Sequence, residues 1–225
     1  MPVAEVTRAA ARCALAALGI ALLASAAPAR HRHHAAGAAG EFDYYVLSLS
    51  WSPAYCEEAP RAAECSGPRH YGFIVHGLWP QFERGWPEHC ADGYVADDQV
   101  RAVADLMPAR SLVQHEWVTH GTCSGLSVAD FFALVRRAAA AVAIPPAYFD
   151  GAVVQRAPSA VADDFLRANP RLPAAAVVVT CSRQAEPRLK EVHVCFTRGL
   201  EARACALDEQ REACRAPMVW VPKAR

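Results

Sequence analysis

The chain has 225 residues, of which 53% are hydrophobic and 20% are charged, and 23 Lys and Arg residues balance 23 Asp and Glu residues. This composition is typical of a globular domain with a substantial core, and it excludes intrinsic disorder as the main description of the chain. The formal net charge of zero excludes long-range attraction to a polyanion, so any nucleic-acid role depends on a local site. At this length we expect one domain.

The N-terminal residues predict an export signal. Arg8 and Arg12 precede an uncharged run at 13–29, and Ala24-Ser25-Ala26 offers a small-x-small cleavage pattern. A membrane anchor is the alternative, but this alanine-rich run is shorter than the ~20 apolar residues that a spanning helix needs. We therefore expect a secreted or periplasmic protein with no membrane attachment after cleavage. The predicted layout is a signal peptide over 1–26, a flexible His/Ala/Gly leader over 27–40 and a folded domain over 41–225.

The cysteine count indicates the same compartment. Of nine cysteines, Cys13 falls in the predicted signal, and an even number remains: Cys56, Cys65, Cys90, Cys123, Cys181, Cys195, Cys205 and Cys214. An even count after an export signal predicts a disulfide framework. Zinc binding is the alternative, but no C-x-x-C pair occurs and the gaps match no common zinc spacing. Eight cysteines allow on the order of a hundred pairings, so spacing alone does not choose among them.

The hydrophobic pattern predicts strands and helices that are intermixed rather than regularly alternating. The predicted strands cover 42–51, 71–75, 176–180, 192–197 and 217–221. The predicted helices cover 97–107, 111–122, 127–142 and 159–168, and Ser127 followed by Asp130 is typical of a capped helix start. This order predicts an α+β single domain: a mostly antiparallel central sheet with helices packed on it, stapled by disulfides.

The first segment with residues suited to catalysis is Phe73 to Gln81. An apolar strand is predicted to run into His76, after which Gly77 and Pro80 turn the chain. Such a strand end would fix an imidazole at a sheet edge, while Trp79 offers a flat aromatic face. Taken separately, a histidine at a strand end is more often structural, and a tryptophan is more often part of the core.

The second segment covers 115–123. On a helix, Glu116 and His120 are four residues apart and share a face, so the carboxylate can orient that imidazole and stabilise its charge. A zinc protease would need H-E-x-x-H, whereas His115 and His120 are five residues apart, about 140° around the helix. The structural alternative is an exposed ion pair on a surface helix, against which Trp117 indicates burial.

Together the segments supply two imidazoles, one carboxylate and one aromatic platform, with no metal-ligand set and no phosphate-binding glycine loop. Two histidines, one as base and one as acid, suit in-line displacement at phosphorus by a neighbouring hydroxyl. RNA supplies that hydroxyl at its 2′ position and DNA does not, so we expect an RNA substrate, no cleavage of DNA, and no metal or other cofactor. A serine hydrolase is excluded by the absence of a G-x-S-x-G elbow. A cysteine protease would need a free thiol, and the even count leaves none.

The same segments carry a family resemblance. Phe-Ile-Val-His-Gly-Leu-Trp-Pro at 73–80 and His-Glu-Trp-Val-Thr-His-Gly-Thr-Cys at 115–123 resemble the two active-site segments of the ribonuclease T2 family, in the family's order and separation. These are secreted endoribonucleases that act through a 2′,3′-cyclic phosphate. The opening at 42–56 is similar to the family's first strand, and Cys181 and 192–195 resemble its C-terminal half. The resemblance covers nearly the whole mature chain.

The resemblance implies a role for each matching residue. His120 would be the general base that takes the 2′-hydroxyl proton, and His76 would be the acid that protonates the leaving 5′-oxygen. Glu116 would support a catalytic imidazole or the pentacovalent transition state. His115 would bind phosphate, and Trp79 would stack a base, a sequence-tolerant contact worth ~1 to 3 kcal/mol. A monomer that acts on single-stranded RNA with broad base specificity is therefore expected.

The resemblance also implies the disulfide pairing, which we expect to be Cys56 with Cys65, Cys90 with Cys123, Cys181 with Cys214, and Cys195 with Cys205. Two residues depart from the family pattern. Thr119 stands where many members have lysine, which removes one cation from the transition state. Gln81 stands where an acidic residue often helps to select the base, so base preference stays open. The alternative is a catalytically silent secreted RNA-binding or interaction protein on the same fold.

Overall fold

The computed structural model describes residues 34–149 and 154–224. In chain order the elements are β1 His34–Ala36, β2 Tyr44–Trp51, α1 Ser52–Glu58, α2 Ala63–Ser66, β3 Phe73–Gln81, β4 Trp86–Glu88, α3 Asp97–Ala102, α4 Arg110–Thr119, α5 Val128–Ala140, β5 Val154–Arg156, α6 Pro158–Ala168, β6 Val177–Cys181, β7 Leu189–Thr197, α7 Leu207–Gln210 and β8 Val219–Val221. The α+β prediction is confirmed. The Ser127 hydroxyl accepts the Asp130 backbone N–H and caps α5.

A four-stranded sheet in the order β3-β2-β7-β6 forms the centre, and every neighbouring pair in it is antiparallel. Alternate residues of its strands face opposite sides. Tyr45, Leu47 and Leu49 of β2 face the main core, which α3, α4, α5 and α6 complete. Tyr44 and Val46 face the other side, where a smaller apolar cluster includes Cys195.

The strand predicted over 71–75 is observed at Phe73–Gln81, so the predicted turn after His76 is wrong. The chain stays extended because β3 is paired with β2 along its whole length, with Tyr45 opposite Pro80. Proline lacks an N–H and is tolerated in a sheet at its edge, and β3 is an edge strand. His76 therefore lies inside a strand rather than at its end.

Within the described residues, four disulfides join Cys56 to Cys65, Cys90 to Cys123, Cys181 to Cys214, and Cys195 to Cys205. These are the pairs that the family resemblance implied. The Cys90–Cys123 bridge ties the segment after β4 to the short 3-10 helix Gly121–Ser124, which follows α4. The 3-10 helix contains the last residues of the second sequence motif, so the bridge anchors that end of the motif.

The predicted signal peptide lies outside the described residues, and so does the first half of the predicted leader. The end of that leader is described: β1 pairs in parallel with β4, and the Gly40 N–H donates to the Cys123 carbonyl at 2.9 Å. The domain boundaries stay a prediction. Among the helices of residues 34–149 and 154–224, none is long and apolar enough to cross a membrane.

Candidate active site

A β-bulge presents His76. Ser48 of β2 pairs with Gly77 and Leu49 pairs with Val75, so His76 is the extra residue of β3. A bulge bends its strand and redirects the side chain of the extra residue. The His76 side chain consequently lies on the same side of the sheet as Trp79 and keeps 30% of its surface exposed.

Small side chains on β2 allow side chains of β3 and β7 to contact each other. These two strands flank β2 and are about 9.6 Å apart, twice the spacing of neighbouring strands. Ser50 of β2 pairs with Glu191 of β7, and Ser48 pairs with both Gly77 and His193. Because serine is small, the longer side chains meet above it. His76 Nδ1 lies 2.5 Å from Glu191 Oε1.

The second motif approaches β3 from α4. Trp117 is buried in the main core, and its neighbour Glu116 is only 1% exposed. Glu116 Oε2 accepts the indole N–H of Trp79 at 2.7 Å, and Oε1 lies 3.4 Å from His76 Nε2. The two sequence segments therefore form one site.

The predicted pairing of the Glu116 carboxylate with the His120 ring is wrong. In the described part of the chain the carboxylate's partners are Trp79, His76 and, at 4.0 Å, His115. The reason is that α4 ends at Thr119, so His120 is a cap residue with φ −118° and ψ −44° whose backbone N–H donates to the Glu116 carbonyl. The relation of i to i+4 holds for the backbone but not for the side chains.

Gly77 is required by the close approach of Glu116 and Trp79. A Cβ atom at this position would lie 2.0 Å from Glu116 Oε2 and 2.3 Å from Trp79 Nε1. Both distances are far below van der Waals contact. The glycine that the sequence predicted as a turn residue instead leaves room for this hydrogen bond.

Three imidazoles surround Trp79. Its ring centroid lies 5.3 Å from that of His76, 5.4 Å from that of His120 and 5.4 Å from that of His193. The indole also packs against the smaller apolar cluster and is only partly exposed. The structure therefore gives Trp79 a positioning role, and base stacking by its exposed part stays a prediction.

The two predicted catalytic histidines have opposite electrostatic environments. Burial lowers the pKa of His76, but the hydrogen bond to Glu191 and the charges of Glu116 and Glu191 outweigh burial and raise it above its ordinary value. Burial lowers the pKa of His120 to about 3, with Glu88 opposing and His115 adding to the shift. His120 Nδ1 is buried without a hydrogen-bond partner among the described residues.

Glu116 is the third perturbed group. Burial raises the pKa of Glu116 to about 7, against the opposing charge of His76 and the hydrogen bond from Trp79. Groups whose pKa values are driven apart by their surroundings can divide acid and base roles near neutral pH. His76 thus favours its protonated form, and His120 favours its neutral form, in which one ring nitrogen is an acceptor.

The remaining predicted residues differ in access. His115 is exposed, with 62% of its side-chain surface accessible, while Thr119 is buried and its Oγ1 lies 3.4 Å from His115 Nδ1. Gln81 is buried at the end of β3. This burial does not support a contact with a base, and a part for Gln81 in base selection stays a prediction.

Three buried polar residues of the site escaped prediction. Glu191 Oε2 lies 3.0 Å from His193 Nε2, and His193 Nδ1 lies 2.5 Å from Glu209 Oε1. Glu191 and His193 are two residues apart in an otherwise largely apolar strand, so they share one face of β7. That pattern is the signal that could have identified them. Nothing in the sequence indicated that Glu209, on α7, reaches them.

A groove of about 1300 Å³ extends from His76 and His115 across this face of the sheet. Its basic lining residues are Arg183, Arg188, Lys190, Arg211 and Arg215, and its acidic ones are Glu58, Glu64, Glu191 and Glu212. Arg188 pairs with Glu57 and Arg211 with Asp208. The groove therefore holds five cations against four carboxylates, and these ion pairs engage two of those cations.

No metal cluster is evident in the part of the chain that the structure describes. Within residues 34–149 and 154–224, no group of three or more His, Cys, Asp or Glu side chains is arranged to hold a metal ion. The chemical groups that the site offers are the imidazoles, the carboxylates, the indole and the cations of the groove.

Comparison with known proteins places the fold and both motifs in one family. The model of the ribonuclease T2 family matches residues 42–205. A ribonuclease of Aeromonas hydrophila is 50% identical over 101 residues, which are 44% of this chain and 46% of that protein. The chain spans about half the length of the curated relatives it matches.

Solved structures show the same fold. An RNase-related protein from Calystegia sepium superposes with a TM-score of 0.66 at 20% identity, covering 82% of this chain and 99% of that one. A mutant of ribonuclease MC1 in complex with 5′-UMP superposes with a TM-score of 0.59 at 22% identity, covering 72% and 91%.

Proposed function

The chain belongs to the ribonuclease T2 family, and we propose from this premise that it is an endoribonuclease. It cleaves single-stranded RNA by 2′-hydroxyl attack through a 2′,3′-cyclic phosphate, without a metal ion. The observation that carries the proposal is the pair of histidines beside Trp79. The surroundings of His76 raise its pKa and those of His120 lower it.

In the first step, neutral His120 accepts the proton of the 2′-hydroxyl as its oxygen attacks phosphorus. The bond from phosphorus to the 2′-oxygen forms, and the bond to the 5′-oxygen breaks. Protonated His76 donates a proton from Nε2 to the leaving 5′-oxygen, because Nδ1 is engaged with Glu191. The products are a 2′,3′-cyclic phosphate and a free 5′-hydroxyl, and the proton has moved in effect from His76 to His120.

In the second step the roles reverse. His76, now neutral at Nε2, takes a proton from water, whose oxygen attacks the cyclic phosphate. His120 returns its proton to the departing 2′-oxygen. This restores both histidines and leaves a 3′-phosphate, as microscopic reversibility requires of a two-histidine site.

The surrounding residues supply binding and charge. Glu116, 3.4 Å from His76 Nε2, supports that imidazole and the transition state. Exposed His115 binds phosphate, and the exposed part of Trp79 stacks a base. Cations along the groove bind the flanking backbone, since phosphate contacts supply most of the affinity for RNA in such sites. A protein of the same fold holds 5′-UMP, which supports a nucleotide ligand here.

The disulfides support a secreted or periplasmic location, because such bonds persist in oxidising compartments. A monomeric state and the exclusion of DNA are parts of the same proposal. The exclusion of DNA rests on the chemistry, since deoxyribose has no 2′-hydroxyl to attack phosphorus.

Digestion of yeast RNA in the presence of EDTA tests the proposal. We expect cleavage with EDTA present, cyclic-phosphate ends among the early products, and no cleavage of single-stranded DNA. A requirement for added magnesium or zinc, or equal cleavage of DNA, would contradict the two-histidine mechanism. RNA binding without cleavage would favour the silent binding protein instead.

A further inference from the structure

Behind His76 lies a continuous chain of buried titratable side chains. His76 contacts Glu191, Glu191 contacts His193, and His193 contacts Glu209, at 2.5, 3.0 and 2.5 Å respectively. The exposed fractions of the last three residues are 3%, 5% and 9%. This series of side-chain contacts crosses β2 above Ser48 and Ser50 and ends at Glu209 on α7.

Hydrogen-bond chemistry defines the protonation of this chain. An ionised carboxylate only accepts hydrogen bonds, so each imidazole nitrogen that faces one must carry a proton. Both nitrogens of His193 face carboxylates, and His193 is therefore an imidazolium. Burial lowers the pKa of His193, but the hydrogen bonds to Glu191 and Glu209 raise it to about 10.

We propose that Glu191 is a positioning residue for the reaction: it accepts the Nδ1 proton of His76, fixes the ring with Nε2–H toward the substrate, and is itself kept ionised by the buried His193–Glu209 pair. This inference rests on the proposed function, in which His76 is the acid of the first step. A carboxylate behind a catalytic imidazole fixes its tautomer and orientation in the same way in other enzymes.

The charge balance of the buried chain also favours the acid form of His76. Two carboxylates and the His193 imidazolium leave one negative charge, which a protonated His76 neutralises. Loss of that proton would leave a buried carboxylate charge that faces the exposed Lys190 ammonium at 3.8 Å instead of a hydrogen-bonded imidazolium, which is costly. Burial raises the pKa of Glu191, but the hydrogen bonds from His193 and His76 outweigh burial and hold it below its usual range.

Other charged groups face this pair and belong to the same electrostatic balance. Lys190 Nζ lies 3.8 Å from Glu191 Oε2 and is exposed to the groove, where its charge lowers the pKa of His76. The charge of Glu116, on α4, raises the pKa of His76 and so opposes the effect of Lys190. The titratable and charged groups around His76 and Glu191 are Glu116 and His120 from the α4 side, Lys190 and His193 from β7, and Glu209 from α7.

The first experiment compares Glu191→Gln with Glu191→Asp and with the exposed control Glu201→Gln. For Glu191→Gln we expect kcat to fall at least about tenfold, with KM within about threefold of the wild-type value. The basic limb of the kcat/KM profile should move to lower pH by about one unit or more, because His76 loses its ionised partner. Glu191→Asp keeps the charge and should keep the basic limb near its wild-type position, while Glu201→Gln should match the wild type throughout. A Glu191→Gln enzyme with unchanged kcat and basic limb would overturn the proposal.

The second experiment reads the ring nitrogens in the wild-type protein, and a substitution at the partly exposed His76 serves only to assign signals. Nitrogen-15 NMR of histidine-labelled wild-type protein reads each ring nitrogen, with His76→Ala used to assign its signals. We expect His76 Nδ1 to stay protonated from about pH 5 to about pH 9, with titration at Nε2 only. A neutral His76 that carries its proton on Nε2 would overturn the proposal. If wild-type protein cleaves no RNA, the proposed function fails, whereas this measurement still decides the His76–Glu191 relationship.

Discussion

Trp79 donates its indole N–H to Glu116 Oε2 at 2.7 Å across the space that Gly77 leaves open. This hydrogen bond joins β3 to α4 and holds a nearly inaccessible carboxylate 3.4 Å from His76 Nε2. Burial raises the pKa of Glu116, whereas the charge of His76 and the hydrogen bond from Trp79 lower it. The charge of Glu116, on α4, therefore depends on two residues of β3.

Gly77→Ala should disable the site. The added methyl group would lie 2.0 Å from Glu116 Oε2, so Glu116 or Trp79 must move. We expect kcat/KM to fall at least about tenfold, a loss of roughly 1.4 kcal/mol in transition-state stabilisation. Gly72→Ala is the control, because the added Cβ atom would lie 3.4 Å from the nearest atom outside the adjacent residues, in the Trp51 ring, which is ordinary van der Waals contact. Equal activity of the two variants would show that the hydrogen bond is dispensable.

His76→Ala and His120→Ala should each lower kcat/KM by at least ~10²-fold, the usual contribution of a positioned acid or base. The control is His70→Ala, since His70 is exposed and outside the site. Steady-state kinetics on a defined dinucleotide would measure all three. Near-normal turnover of either site variant would remove that histidine from the mechanism.

The pH dependence of kcat/KM should be a broad bell. Activity needs neutral His120 and protonated His76, so it falls at low pH as His120 gains a proton and at high pH as His76 loses one. The pKa of His120 is lowered to about 3, and that of His76 is raised above its ordinary value near ~6.5. We therefore expect high activity through the acidic range. A basic limb below about pH 6 would contradict the assignment of His76.

Loss of the Cys90–Cys123 bridge should damage both stability and activity, because it anchors the chain beside α4. The loss of a native disulfide typically costs ~2 to 5 kcal/mol. Calorimetry of a Cys90→Ala, Cys123→Ala double variant would measure the decrease. The Cys56–Cys65 bridge spans 9 residues rather than 33, so its removal should cost less. Non-reducing peptide maps that show Cys90 or Cys123 bonded to another cysteine would contradict the role of this disulfide.

Thr119→Lys should change kcat/KM by less than about tenfold, or roughly 1.4 kcal/mol. The hydroxyl of Thr119 faces His115, and Lys190 already supplies positive charge to the groove. Kinetics of the single variant are sufficient for the test. An inactive wild-type protein revived about a thousandfold would mean that Thr119 had disabled the site. The silent binding protein would then be the better interpretation.

The sequence by itself determined the features that depend on neighbouring residues. Short runs rich in apolar residues predicted most of β2, β6 and β7, and helical periodicity together with Ser127 predicted α5. The two motifs supplied the histidines and the type of chemistry, and the family resemblance supplied the disulfide pairs. All of these depend on short-range pattern or on whole motifs, which a linear sequence displays directly.

The tertiary structure alone decided which side chains meet. A bulge at His76 depends on the register of β3 against β2, and periodicity does not encode register. The contact between His76 and Glu191 also needs small serines on the intervening strand. Glu116 reached Trp79 and His76 rather than His120 because α4 ends one residue before His120. Contacts between segments that are distant in the chain follow from packing and strand order, and these exist only once the chain has folded.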